Sequence, residues 1–171
     1  MPRSFEVTTE TSARVADVLA AFGDRDYWLA RLAAYGGDSM TLDSLVVEPH
    51  GAIAVTTSQD LRHDVLPPAI ARAVPGNTTI IRTESWQPAD DRVRGKFTIA
   101  ARGVPASGNG TLMLKPAVGG SSLRVAGTLE VRIPLVGGRI ERFIADLIAR
   151  DVPEMQQYTA DWIGPSGELN A

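Results

Sequence analysis

Between Leu123 and Ile133 apolar and polar residues alternate along the chain. Leu123, Val125, Leu129, Val131 and Ile133 share one parity with Gly127, while Arg124, Thr128, Glu130 and Arg132 take the other. A period of two marks a strand with one buried face. After Pro134-Leu-Val-Gly-Gly138 the period changes. Ile140, Phe143, Ile144, Leu147 and Ile148 recur at i, i+3, i+4, i+7 and i+8, which is the stripe of an amphipathic helix. The helical pattern continues to about Ile163. Pro153 removes one backbone donor within it, which predicts a kink near residues 149–151; beyond it Met155, Tyr158 and Trp162 resume the stripe. A long strand that delivers a long amphipathic helix predicts a sheet gripping a helix, a geometry with room for a cavity between the two.

The same reading organises the rest of the chain. Phe5 and Val7 alternate with Glu6 and Thr8 in a short first strand. Ser12 is the expected N-cap of a helix carrying Val15, Val18, Leu19 and Phe22 and stopping at Gly23. Asp24 or Asp26 caps a second helix, with Trp28, Leu32 and Tyr35 on one side, that closes at Gly36-Gly37. Strands are then expected over 42–48, 53–60, 79–86, 93–101, 111–115 and 123–133, joined by turns at Pro49-His-Gly51, Pro88-Ala-Asp-Asp91 and Gly119-Gly120. Turns this short imply an antiparallel meander, because parallel pairing needs long crossovers. Two segments fall outside the pattern. Residues 65–75 are apolar with a possible short helix at the two prolines, read either as a lid or as a loop packed on the sheet edge. Residues 103–110, rich in Gly, Pro and Ser, read as a loop. The domain is expected to span 1–163, with 164–171 as a flexible tail.

Composition narrows the function classes. The chain has 171 residues, 44% of them hydrophobic and 22% charged, which suits one globular domain. A net charge of −3 gives no reason to expect nucleic acid or an anionic membrane surface as a partner. With no cysteine and two histidines, thiolate chemistry and the usual metal-ligand patterns have nothing to rest on, and no metal or cofactor is expected. The N-terminus lacks a basic-then-apolar export pattern, and no apolar run approaches the ~20 residues that cross a bilayer. A cytoplasmic protein, monomeric or homodimeric, is the expectation.

Candidate chemistry is sparse. Neither a Gly-x-Ser-x-Gly elbow nor a phosphate-cradling glycine motif is present. His63 lies in Gln59-Asp-Leu-Arg-His-Asp64, where Asp60 and Arg62 can tune its protonation, so His63, Asp60 and Arg62 are the weak candidates for proton transfer. Against them stands the plainer reading of a solvated strand end. Trp28, Tyr35, Trp86, Phe97, Met113, Phe143, Met155 and Tyr158 are the candidate lining of an apolar pocket; each is also a natural core residue.

The order of strand, two helices, six-stranded meander and long C-terminal helix resembles the α+β helix-grip fold of the START-like superfamily, which includes Bet v 1-like plant allergens and polyketide cyclases. More closely, Met1-Pro-Arg-Ser-Phe5, Ala21-Phe-Gly-Asp24, Tyr27-Trp-Leu-Ala-Arg-Leu32, Gln59-Asp-Leu-Arg-His-Asp64 and Ile133-Pro-Leu-Val-Gly-Gly138 are similar to the DUF2505 family of uncharacterised actinobacterial proteins. The resemblance implies a seven-stranded antiparallel sheet around the last helix and an interior pocket for a hydrophobic or amphipathic small molecule or lipid. Fold analogy does not name the molecule. Two other functions remain open at this point: a cyclase or dehydratase using the same pocket, and a protein-interaction module.

Overall fold

The computed structural model describes residues 2–61 and 66–164. In chain order the elements are β1 (Arg3–Thr11), α1 (Val15–Phe22), α2 (Arg25–Gly36), a 3-10 turn (Gly37–Ser39), β2 (Met40–Val47), β3 (Ile53–Asp60), a short α3 (Pro68–Ala71), β4 (Thr79–Ala89), β5 (Arg92–Arg102), β6 (Ala106–Ala117), β7 (Gly120–Val131) and α4 (Gly137–Ile163). The strands form one antiparallel sheet in the order β1-β7-β6-β5-β4-β3-β2. β2 to β7 are a meander, and β1 returns to pair with β7, Phe5 opposite Gly127 and Val7 opposite Val125. The sheet wraps α4, as the alternation and the change of period at Pro134 predict.

On each strand from β3 to β7 side chains of one parity face the interior, and on β2 the parity switches at a bulge between Leu42 and Ser44. β3 contributes buried Ile53, Val55 and Thr57, and β7 contributes buried Leu123, Val125, Leu129 and Val131. The interior closes at both ends. At one end Tyr27, Trp28 and Phe22 of the helix pair pack with Trp86, Leu112, Leu114 and Ala160. At the other, Ile70 and Val74 pack with Val131 and Ile140, joined by Phe143 and Ile144. The apolar piece after β3 is therefore packed against α4 where it is described, with its one helical turn at the prolines as expected.

Two local expectations change, the N-cap of α1 and the loop at 103–110. Arg14, not Ser12, is the N-cap of α1, and it makes no side-chain cap. The preceding residue, Ala13, is buried and its carbonyl accepts the Ser121 hydroxyl at 2.6 Å, so the chain is tied to β7 before the helix can start. Of the two expected caps of α2 it is Asp24 that serves, its carboxylate accepting the Asp26 amide at 2.9 Å. Residues 106–110 belong to β6, leaving only 103–105 outside the strands. The glycines that suggested a loop are there for space: a Cβ on Gly110 would lie 2.1 Å from the Ala126 carbonyl oxygen and 2.6 Å from the Phe97 ring. The turn into α4 takes its left-handed residue at Leu135 (φ 72). Gly137 instead permits close approach, since a Cβ there would sit 2.2 Å from the Val131 carbonyl. α4 continues through Pro153 as one helical assignment.

Candidate functional site

α4 is 27 residues long, yet its fully buried residues lie only near its ends: Gly137, Ile140 and Glu141 at one, Gln156, Thr159 and Ala160 at the other. Within residues 142–155 the stripe that should be most buried, Phe143, Ile144, Leu147, Ile148, Val152 and Met155, is half-exposed throughout. The sheet mirrors this. On the helix-facing side of the middle strands Gln59, Ile80, Arg82, Glu84 and Ile99 are half-exposed too, whereas Ile53, Val55, Trp86 and Val93 towards the α1–α2 end are buried. The α4 stripe and this stretch of the sheet, where Ile80 and Ile99 stand among Gln59, Arg82 and Glu84, are less buried than the packed ends on either side, and the space between them is the candidate site.

Two glycines widen that surface. Phe5, Gly127, Gly110 and Phe97 form one row across β1, β7, β6 and β5. The flanking rings reach over the glycines to a centroid separation of 6.0 Å. Larger residues at the two central positions would fill the sheet's concave middle.

Polar groups converge on one side of this space. Arg31, on α2, donates from Nη1 to the Tyr27 hydroxyl at 3.2 Å and from Nη2 to the Met155 sulfur at 3.1 Å. Its guanidinium carbon lies 4.7 Å from the centre of the Trp28 ring, within cation–π range. Tyr27 in turn bonds Thr159 of α4 at 2.5 Å, which fixes α2 against the C-terminal half of α4. Across the space Arg82 donates to Gln59 Oε1 at 3.1 Å, and Glu84 accepts the Trp86 indole N–H at 3.0 Å. Burial lowers the Arg82 pKa, partly offset by the Glu84 carboxylate, with Arg31 adding to the depression. For Arg31 burial is the largest single influence and also disfavours the charged form, but the Tyr27 hydroxyl, Glu84 and Tyr35 together outweigh it and raise the pKa. Tyr35 is pushed up by burial and by nearby Glu154.

The residues singled out from sequence fall into three groups. Trp28, Trp86 and Phe97 are buried; Trp28 donates its indole N–H to the Phe22 carbonyl at 2.7 Å, and Phe22 stacks on Trp86 with centroids 4.8 Å apart. Tyr35, Phe143, Met155 and Tyr158 are half-exposed, with Tyr35 edge-on to Tyr158 at 5.9 Å. Met113 departs from the expectation. Buried Leu112 and Leu114 take the helix-facing parity, so Met113 lies on the opposite face between Arg94 and Arg124, away from α4. Asp60 is likewise outward-facing and exposed, accepting the Thr79 hydroxyl at 3.3 Å. Arg62 and His63 lie outside the described residues.

Sequence reasoning missed Arg31, Arg82 and Glu84. A signal was present: Arg82 and Glu84 share the parity of Trp86, so a strand that buries the tryptophan must turn both charges inward. It also missed Glu141, buried beside β7, whose carboxylate accepts the Val131 amide at 2.9 Å. Among the described residues no group of histidine, aspartate and glutamate side chains could hold a metal ion, and no helix is long and apolar enough to cross a membrane.

Comparison with known proteins agrees with this architecture. A family model described as a protein of unknown function, DUF2505, matches residues 6–163. An uncharacterized protein of Mycobacterium tuberculosis is 36% identical over 171 residues, covering 95% of this chain and 98% of that one. Among solved structures, a conserved protein from Geobacillus kaustophilus aligns with TM-score 0.55 at 15% identity, covering 94% and 96% of the two chains. Ara h 8.0201 aligns with TM-score 0.51 at 16% identity, covering 93% and 98%. A START superfamily protein from Mycobacterium smegmatis aligns with TM-score 0.42 at 10% identity, covering 92% of each.

Proposed function

The chain belongs to the DUF2505 family and has a helix-grip fold, and from that premise we propose that it binds or carries an amphipathic small molecule between the sheet and α4. One observation carries this reading: the apolar stripe of residues 142–155 and the middle of the concave face both stay half-exposed while the interior is packed at either end. Covering the half-exposed apolar stripe of α4 is worth about 25 cal/mol per Å², a gain that an amphipathic ligand would supply. The apolar part of the ligand lies along Phe143, Leu147 and Ile148, and its polar end meets the groups around Arg31 and Arg82.

Native mass spectrometry of the protein as purified tests this. A small-molecule adduct that disappears after organic extraction, and that can be restored by adding an amphipathic compound, is the expected result. Spectra showing bare protein before and after incubation with apolar and amphipathic compounds would contradict it.

A further inference from the structure

Two guanidiniums on the helix-facing side of the fold are supplied with very little negative charge. Among the described residues neither Arg31 nor Arg82 is in an ion pair; the pairs present are at the surface, between Arg14 and Asp17, Arg92 and Asp91, Arg124 and Glu6, Arg132 and Glu130, and Arg150 and Asp151. The acceptors that Arg31 does reach, a phenol and a thioether, are both neutral, and Arg82 reaches only an amide oxygen. Glu84 is the one carboxylate that bears on both arginines, and it also receives the Trp86 N–H. Asp151 acts on Arg82 from α4 but is itself bound to Arg150 at 3.0 Å. Among the described residues the two guanidiniums thus share one carboxylate, Glu84, and neither has an ion-pair partner of its own.

Drawing a guanidinium even partly out of water without an anionic partner of its own is unfavourable, and five fixed N–H donors make it a good match for a planar carboxylate. Both arginines face the space between α4 and the sheet, Arg31 from α2 above Trp28 and Arg82 from β4 opposite Ile99. Extending the carrier reading above, we propose that Arg31 and Arg82 form the head-group site of that space and that the ligand is an amphipathic monocarboxylate, its single negative charge between the two guanidiniums and its apolar body along α4. A dianionic head such as a phosphate monoester would exceed the charge available.

The experiment is a fluorescence binding titration of the full chain with dansyl-aminoundecanoic acid, its methyl ester, and competing dodecanoate or dodecyl phosphate. The acid should bind at least about tenfold tighter than the ester, as charge-assisted hydrogen bonds require. Arg31→Met and Arg82→Met should each remove most of that preference while leaving the ester's affinity within about twofold. Glu84→Gln removes the competing charge, so it should strengthen acid binding severalfold; its opposite sign separates recognition from damage to the fold. Circular dichroism melts verify that each variant is folded. Equal binding of acid and ester overturns the carboxylate proposal and leaves the carrier reading standing. Stronger competition by dodecyl phosphate than by dodecanoate overturns it as well. Failure of both acid and ester to bind overturns the two together.

Discussion

Tyr27 is the residue on which the helix pair, α4 and the arginine site meet. Its ring is fully buried against Phe22 and Trp28, and its hydroxyl joins Thr159 and Arg31. Tyr27→Phe keeps the packing and deletes one oxygen, so Arg31 loses an acceptor and Thr159 keeps only its bond to the Met155 carbonyl. Unfolding in urea should show a loss of about 1–3 kcal/mol, the cost of stranding buried polar partners. An unchanged midpoint would mean that the hydroxyl is replaced by water and that the site is wetter than its hydrogen bonds imply. At this scale the sequence was only partly legible. Apolar parity located Trp86 and Val125 correctly, but attention to aromatic and methionine side chains took in Met113, which faces away from α4, and passed over Arg82 and Glu84. Charged residues are read as solvent-facing unless parity is followed through a strand, and here the fold turns them inward.

The elements were far more legible than their edges. Strand and helix periods survive because every core-facing position contributes to burial, so one atypical residue does not erase the pattern. Edges depend instead on single contacts that no periodicity encodes. Ser121 holding the Ala13 carbonyl moves the start of α1, and Gly110 beneath the Phe97 ring extends β6 through what composition marked as loop. Gly127 belongs to the same row, where a Cβ would lie 2.3 Å from the Asn109 carbonyl oxygen and 2.8 Å from Phe97. Gly127→Val should therefore destabilise the protein by more than about 2 kcal/mol through backbone clash and overpacking. Gly138→Ala, in open space at the start of α4, should be neutral or stabilising by up to about 1 kcal/mol. Thermal melts of the two variants measure the contrast. Equal tolerance at both positions would show that the concave middle has slack that the glycine row does not reveal.

At the scale of the whole molecule, the sheet and α4 are joined firmly at two ends and loosely between. Glu141 on the Val131 amide and Tyr27 on Thr159 mark the two fastened ends, and the half-exposed stripe of residues 142–155 marks the interval. The grip itself was legible from the meeting of two periods at Pro134. Which positions of the stripe stay half-exposed was not, because an apolar stripe reads the same whether it meets protein or ligand. The most direct test is a high-resolution crystal structure of the protein purified without delipidation. Continuous non-protein density lying between residues 142–155 and the inner face of β3 to β5, with its polar end at Arg31 and Arg82, is the result this account requires. Leu147, Ile148 and Met155 in direct van der Waals contact with Ile80 and Ile99, with no space between them, would contradict it.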